Sequence, residues 1–270
     1  MKKDFWFDLK DQVIVITGGA GLLGKEHAKA IKRCEGIPII ADLNLENARK
    51  VATEIGGKAE AYELDVTNEI SIQNLLNNLL QKYSRVDALI NNAALDPKVG
   101  NQGLTNTRFE AINLEMLQND LNVNLLGAVL CSKIFGDYFS KNAGGKILNI
   151  SSELGVIAPD QRLYKQKGLK NEEQPVKPVS YSIAKAGLIG LTKYLATYWP
   201  EQGVRANAIC PGGVEFNQPE DFKLEIAKRI PLGRMAQADE YQALVAFLCS
   251  DASSYMTGSV ISADGGRTVW

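Results

Sequence analysis

The run Val13-Ile14-Val15-Ile16-Thr17 passes without a break into Gly18-Gly19-Ala20-Gly21-Leu22-Leu23-Gly24, and then into a helix-favouring segment from Lys25 to Arg33. Five β-branched residues in succession fit a strand buried on both faces, the kind found inside a parallel sheet. A glycine-rich turn between such a strand and a helix leaves backbone N–H groups free to meet a phosphate. The next apolar run, Ile37-Pro38-Ile39-Ile40-Ala41, ends at Asp42, 24 residues after Gly18. An acid there suits hydrogen bonding to an adenosine ribose diol and repels a 2′-phosphate. The same turn almost spells a nucleotide-triphosphatase loop from Gly19 to Lys25, but Glu26 stands where a magnesium-holding hydroxyl is needed.

The alternation continues along the chain. A helix from about Leu45 to Ile55 leads to a strand over Ala59 to Leu64, closing in Asp65-Val66. A helix at about Asn68 to Tyr83 precedes the strand Ala88-Leu89-Ile90, which enters Asn91-Asn92-Ala93-Ala94. A long helix spans roughly Met116 to Phe139, and the strand Lys146 to Ile150 ends at Ser151-Ser152. A helix around Ser180 to Trp199 is followed by the strand Arg205 to Ile209 and then Cys210-Pro211-Gly212-Gly213. A last helix at about Ala238 to Leu248 and a strand from Val260 to Ala263 finish the pattern. Seven strands interleaved with helices, with no break in composition, predict one α/β domain over residues 1–270, built on a doubly wound parallel sheet with helices on both faces.

Bulk properties remove several function classes. A formal net charge of −1 and no long basic run disfavour nucleic acid and anionic membranes as partners. The N-terminal residues Met1 to Trp6 lead into a polar segment, and no long apolar stretch follows, which predicts a cytoplasmic protein. Cys34, Cys131, Cys210 and Cys249 lie far apart in apolar surroundings, so they read as reduced, buried thiols. His27 is the only histidine and has no motif around it, so neither a metal site nor a Ser-His-Asp triad is expected.

Tyr181 and Lys185 are four residues apart in a helix-favouring segment and therefore share one helical face. An ammonium beside a phenol favours the phenolate, which makes the tyrosine a usable general acid or base near neutral pH.

Together these pieces resemble the short-chain dehydrogenase/reductase family, from about Leu9 to Gly266. Thr17-Gly18 and Gly24 match its cofactor loop, although Leu22 stands where a middle glycine is usual and a glycine comes one place earlier at Gly21. Asp65-Val66 matches the pair beside the adenine, and Asn91-Asn92-Ala93-Ala94 matches the family's N-N-A-G apart from its last residue. Asn124, Ser152, Tyr181 and Lys185 match the four catalytic positions, and Pro211-Gly212-Gly213-Val214 matches the segment that binds the nicotinamide carboxamide. Phe216 replaces a threonine usual two residues further on. The resemblance implies a Rossmann-like fold and an oxidoreductase using NAD(H) in preference to NADP(H). It implies cofactor contacts at Gly18, Gly21, Leu22, Leu23 and Gly24 in the turn, and at Asp42, Asp65 and Val66 around the adenosine. Towards the nicotinamide it implies Asn91, Ala93, Pro211, Gly212 and Val214, with Tyr181 and Lys185. In the implied mechanism Tyr181 exchanges the proton, Lys185 holds the ribose and lowers the tyrosine pKa, Ser152 orients the reacting oxygen, and Asn124 helps hold a water. Relatives pair as dimers or tetramers through helices corresponding to about 116–139 and 180–199.

Ser152 and Tyr181 are 29 residues apart, where the family usually needs about a dozen. The extra length, at about 158–178, is basic on balance, with Arg162, Lys165, Lys167, Lys170 and Lys177 against Asp160, Glu172 and Glu173, and must pass over or near the active-site mouth. Two readings stay open, a solvated surface insertion or a lid in which Arg162 and Lys165 grip an anionic substrate such as a sugar phosphate or nucleotide sugar. Asp96 and Glu153 are the other candidate substrate residues, and the loop from Leu95 to Phe109, including Pro97 and Lys98, lines the far side. The insertion, the segment from Gly187 to Trp199 and the terminal Asp264 to Trp270 also resemble the subgroup called flagellin modification protein A, which implies work on surface sugars. Two alternatives remain: a nucleotide-sugar dehydratase or epimerase, suggested by the spacing of Gly18, Gly21 and Gly24, and a non-catalytic NAD-binding regulator.

Overall fold

A computed structural model describes residues 7–96, 99 and 107–270. Pro97 and Lys98 and the N-terminal six residues lie outside the described residues. The strands are β1 (Val13–Thr17), β2 (Ile37–Asp42), β3 (Glu60–Glu63), β4 (Ala88–Asn91), β5 (Gly145–Ile150), β6 (Val204–Pro211) and β7 (Val260–Ala263). All pair in parallel, in the order β3-β2-β1-β4-β5-β6-β7.

The side-chain period of two sorts β1 between two cores. Val13 and Val15 pack on one face of the sheet, and Ile14 and Ile16 on the other, all fully buried. The first face carries α3 (Glu69–Tyr83), α5 (Gly127–Lys141) and α6 (Val179–Tyr198); the second carries α1 (Leu22–Arg33), α2 (Leu45–Ile55) and α8 (Gln242–Cys249). Because β1 pairs with β2 on one side and β4 on the other, the winding reverses there. That reversal opens a crevice at the carboxyl ends of the strands, where α/β sheets bind ligands.

Four local features differ from the sequence-based expectation. The third strand is Glu60–Glu63, shorter than Ala59 to Leu64. The single long helix is broken into α4 (Leu114–Leu121) and α5 by a wide π turn over Asn122–Leu126. The last helix starts as a 3-10 turn, Ala238–Tyr241, before becoming α8. An additional helix, α7 (Glu220–Ala227), follows β6, and its weak amphipathic pattern explains why sequence reading passed over it. Cys34 is half-buried and the other three cysteines are buried, all as free thiols. No helix among the described residues is long and apolar enough to cross a membrane.

Candidate active site

The glycine-rich turn is held by contacts that leave no room for side chains. Gly18 has φ +60°, and a Cβ there would lie 2.7 Å from the Ala93 Cα; a Cβ on Gly24 would lie 2.4 Å from the Gly18 carbonyl. The Thr17 hydroxyl accepts from the Asn92 and Ala93 amides at 3.0 Å, and the Asn92 side chain donates to the Thr17 and Gly18 carbonyls. These bonds lock the ends of β1 and β4 together.

Helix α1 then begins without a side-chain cap and with no acid in its first turn, unlike α2 and α3, which Asn44 and Asn68 cap. Its first backbone bond runs from Lys25 to Gly21, so the N–H groups of Leu22, Leu23 and Gly24 have no intrahelical partner. A dinucleotide pyrophosphate fits such a cradle. Asp42 stands at the end of β2, with one carboxylate oxygen accepting from the Ala20 amide at 3.1 Å and the other from the Asn44 amide at 3.0 Å. Fixed in this way, it keeps lone pairs for a ribose diol. The Asp65 carboxylate is turned back on Thr67, while Val66 is buried against Gly127. On the far side, Gly212 packs so tightly that a Cβ would meet the Asp264 Cα at 2.8 Å, and Val214 bridges to Ala236. Phe216 is exposed.

Ser152 leaves β5 in an extended conformation and starts the 3-10 turn Glu153–Gly155, with its hydroxyl accepting from the Leu154 amide at 3.1 Å. The turn sits against α6, where a Cβ on Gly155 would lie 2.7 Å from the Lys185 carbonyl. Ser152, Tyr181 and Lys185 therefore converge. The Ser152 hydroxyl lies beside the Tyr181 phenol, and the Lys185 Nζ is 5.6 Å from the Tyr181 ring centre. The Lys185 ammonium donates to the Ile150 carbonyl at 2.9 Å, and burial brings its pKa down to about 8.

The tyrosine does not follow the expected direction. Burial, with the Asp96 carboxylate adding to it, pushes the Tyr181 phenol well above its ordinary value, and the neighbouring Ser152 hydroxyl opposes this without overcoming it. In the protein alone the phenol is thus protonated at neutral pH. Asn124 also differs in detail. It is buried in the π turn and both ends of its amide grip the backbone of Leu95, accepting from the amide at 2.6 Å and donating to the carbonyl at 2.9 Å. Asn91 lies below the site in a buried network, donating to Asn149 and Ser132.

The insertion is a folded appendage. Leu163 packs on the small cluster of Ile226, Ile230 and Met235, and Tyr164 meets the Phe222 ring of α7 at 6.0 Å. Arg162 is largely exposed and grips Asp160 through two bonds, and Arg229 shares one of the two Asp160 oxygens at 2.7 Å. Lys165 is exposed, with no ion pair among the described residues. Glu153 is buried and meets the buried Arg267 at 3.1 Å, so its carboxylate is turned away from solvent. Burial raises its pKa to about 7.

A second cation beside the Tyr181 ring is Lys177, one of the insertion's charges, to which the sequence alone assigns no role. Its Nζ stands 4.3 Å from the Tyr181 ring centre and pairs with Asp96. Proximity to the helix start at Pro178 was the available signal.

The family model described as enoyl-(acyl carrier protein) reductase matches residues 20–268. The 3-oxoacyl-[acyl-carrier-protein] reductase FabG of Thermotoga maritima is 34% identical over 97% of this chain and 99% of its own length. The post-translational flagellin modification protein A of Campylobacter coli is 29% identical over 96% of this chain and 98% of its own. The crystal structure of a short-chain type dehydrogenase/reductase from Mycobacterium marinum superimposes with a TM-score of 0.84, at 28% identity and 97% coverage of both chains. With a match this long and a relative this similar, set beside the shared sheet and the Ser152, Tyr181 and Lys185 cluster, the chain belongs to the short-chain dehydrogenase/reductase family of oxidoreductases.

Proposed function

We propose that this protein transfers hydride between NAD(H) and a secondary alcohol or ketone, on a sugar derivative, with Ser152, Tyr181 and Lys185 as its catalytic group and Asn124 as its support. The observation that carries this reading is the convergence of those three side chains beside an uncapped helix start. A bound nicotinamide cofactor supplies or accepts the hydride. Ser152 directs its hydroxyl at the reacting oxygen and steadies charge that develops there. Tyr181, protonated in the protein alone, is ready to deliver its proton to a ketone; in the opposite direction it must first lose that proton. Lys185, whose pKa lies near 8, sits where it can draw the phenol downward once its ammonium is reoriented from Ile150.

The preference for NAD(H) rests on Asp42, anchored by two backbone amides where a 2′-phosphate would come. A single domain over residues 1–270 with a lid at about 158–178, a cytoplasmic location and assembly into dimers or tetramers complete the reading. Support for assembly comes from exposed apolar groups on the outer faces of two helices: Leu126 and Val129 near the start of α5, and Ile183, Tyr194 and Tyr198 on α6. Work on flagellin sugars is supported by the name of one relative alone, and the reductase of Thermotoga maritima is the more similar of the two.

The test is NAD(H) turnover over a panel of alcohols, ketones and sugars. Tyr181→Phe should abolish turnover and leave cofactor binding by fluorescence titration near normal. Substantial remaining activity would remove Tyr181 from the mechanism, and cofactor recycling without net NADH change would point to an epimerase or dehydratase instead.

A further inference from the structure

Lys177 is an unusual neighbour for a catalytic tyrosine. It comes from the last residues of the insertion, where its amide donates to Gln161 at 2.8 Å and the adjoining Val176 amide donates to Thr107 at 2.8 Å. Its side chain is 10% exposed, whereas that of its partner Asp96 is 60% exposed. The ammonium is therefore part of the wall beside Tyr181, and the carboxylate reaches it from the solvent side. An exposed acid gains little from such a pair and gives it up at small cost, while a buried ammonium left without a partner is strongly disfavoured.

We infer that Lys177 is the specificity residue for a carboxylate on the substrate, and that Asp96 holds its place until that carboxylate arrives. The substrate class is then a hydroxy acid or keto acid, such as a sugar acid, with the reacting oxygen at Ser152 and Tyr181 and the carboxylate on a nearby carbon at Lys177. A single ammonium matches a monoanion. The guanidiniums of Arg162 and Arg229, which a phosphate dianion would need as further donors, are both held by Asp160. This inference rests on the oxidoreductase reading above and sharpens it to a substrate class.

The experiment compares matched pairs in which an uncharged primary alcohol replaces the carboxylate: 3-hydroxybutyrate with butane-1,3-diol, and a sugar acid with the sugar alcohol of the same carbon skeleton, each oxidised with NAD⁺. The wild-type protein should favour the acid in each pair. Lys177→Met should reduce the ratio of kcat/KM for acid over alcohol by about tenfold or more, and Lys177→Arg should restore most of it. Asp96→Asn should lower KM for the acids, because it removes a competing carboxylate. If the pair instead recognises hydroxyl groups, Asp96→Asn raises KM for acids and alcohols alike, and that result overturns the inference. An acid preference unchanged in Lys177→Met overturns it too, as does a wild-type preference for the uncharged members, with the oxidoreductase reading left intact. Absence of hydride transfer with every member of the wider alcohol and ketone panel overturns that reading and this inference together.

Discussion

Replacing Glu153 with glutamine isolates the energetics of a deeply buried acid beside the site. The side chains of Glu153 and Arg267 are 5% and 6% exposed, and only one carboxylate oxygen meets the guanidinium; the other is buried without a hydrogen-bond partner. Burial, with Asp264 reinforcing it, outweighs the attraction of Arg267 and lifts the pKa from 4.5 to about 7. Between those values the folded state holds a proton that the unfolded chain has lost, so stability falls as pH rises through the window. The contribution is fully present below pH 4.5 and gone above about 7, and it amounts to about 3 kcal/mol. His27 works in the opposite sense. It is buried, and its pKa is brought down from 6.5 to about 4, so its contribution is present above 6.5 and lost as pH falls towards 4. The two slopes oppose each other over much of the same window, and the wild-type pH profile alone would conceal both. Urea unfolding of wild type and Glu153→Gln at pH values from 4.5 to 8 separates them, because His27 cancels in the difference. The variant carries a pH-independent penalty for leaving Arg267 unpaired. On top of it, stability of the variant relative to wild type should rise by about 3 kcal/mol from the acid to the alkaline end. A difference that is flat with pH would refute the assignment of a raised carboxyl.

Asp42→Ala should shift the ratio of kcat/KM for NAD⁺ over NADP⁺ towards NADP⁺ by about tenfold, since a fixed charge facing a phosphate is removed; an unchanged ratio in steady-state assays would detach Asp42 from the ribose. A double change of Ile183 and Tyr194 to aspartate should lower the sedimentation coefficient to that of a smaller assembly without unfolding the chain, because both side chains are exposed on α6. If sedimentation is unaltered, α6 does not form the contact between copies.

The order of elements was legible because the signals are local. The β-branched run of β1, the glycines after it and the acid closing β2 each occupy a few consecutive residues. Tyr181 and Lys185 were legible for the same reason, as neighbours on one helical turn. Apart from the short β3 and the weakly patterned α7, what the sequence hides depends on long-range contacts. Nothing near Arg162 in the chain announces that Arg229 would share its partner Asp160, and nothing near Glu153 announces Arg267. The broken helix at Asn124 was invisible because a π turn needs no unusual residue, only a tertiary demand, here the grip on Leu95. The tyrosine pKa was misjudged because a pair of residues read off a helix carries no information on how dry its surroundings are. Lys177 was seen as one of several surface charges because its approach to Tyr181 depends on how the whole insertion folds back.

The buried amides beneath the site bear on how the sheet finds its alignment. Asn91 and Asn149 stand opposite each other in β4 and β5, and their side chains bond at 2.8 Å; Asn91 also reaches Ser132 on α5, and Asn149 reaches Thr192 on α6. The apolar residues around them would tolerate more than one neighbouring alignment, since Ile, Leu and Val differ little in what they ask of a neighbour. The amides do not. Sliding β5 by one place against β4 would turn Asn149 to the opposite face and strand four polar groups in the driest part of the molecule. A quartet of polar side chains thus acts as a vernier between the strands, giving the correct alignment a margin that greasy packing alone does not provide. Because two of its members sit on helices, the same mark sets the helices against the sheet, so the strand end that carries Ser152 and the helix that carries Tyr181 are brought to their mutual height by a scale read several residues away.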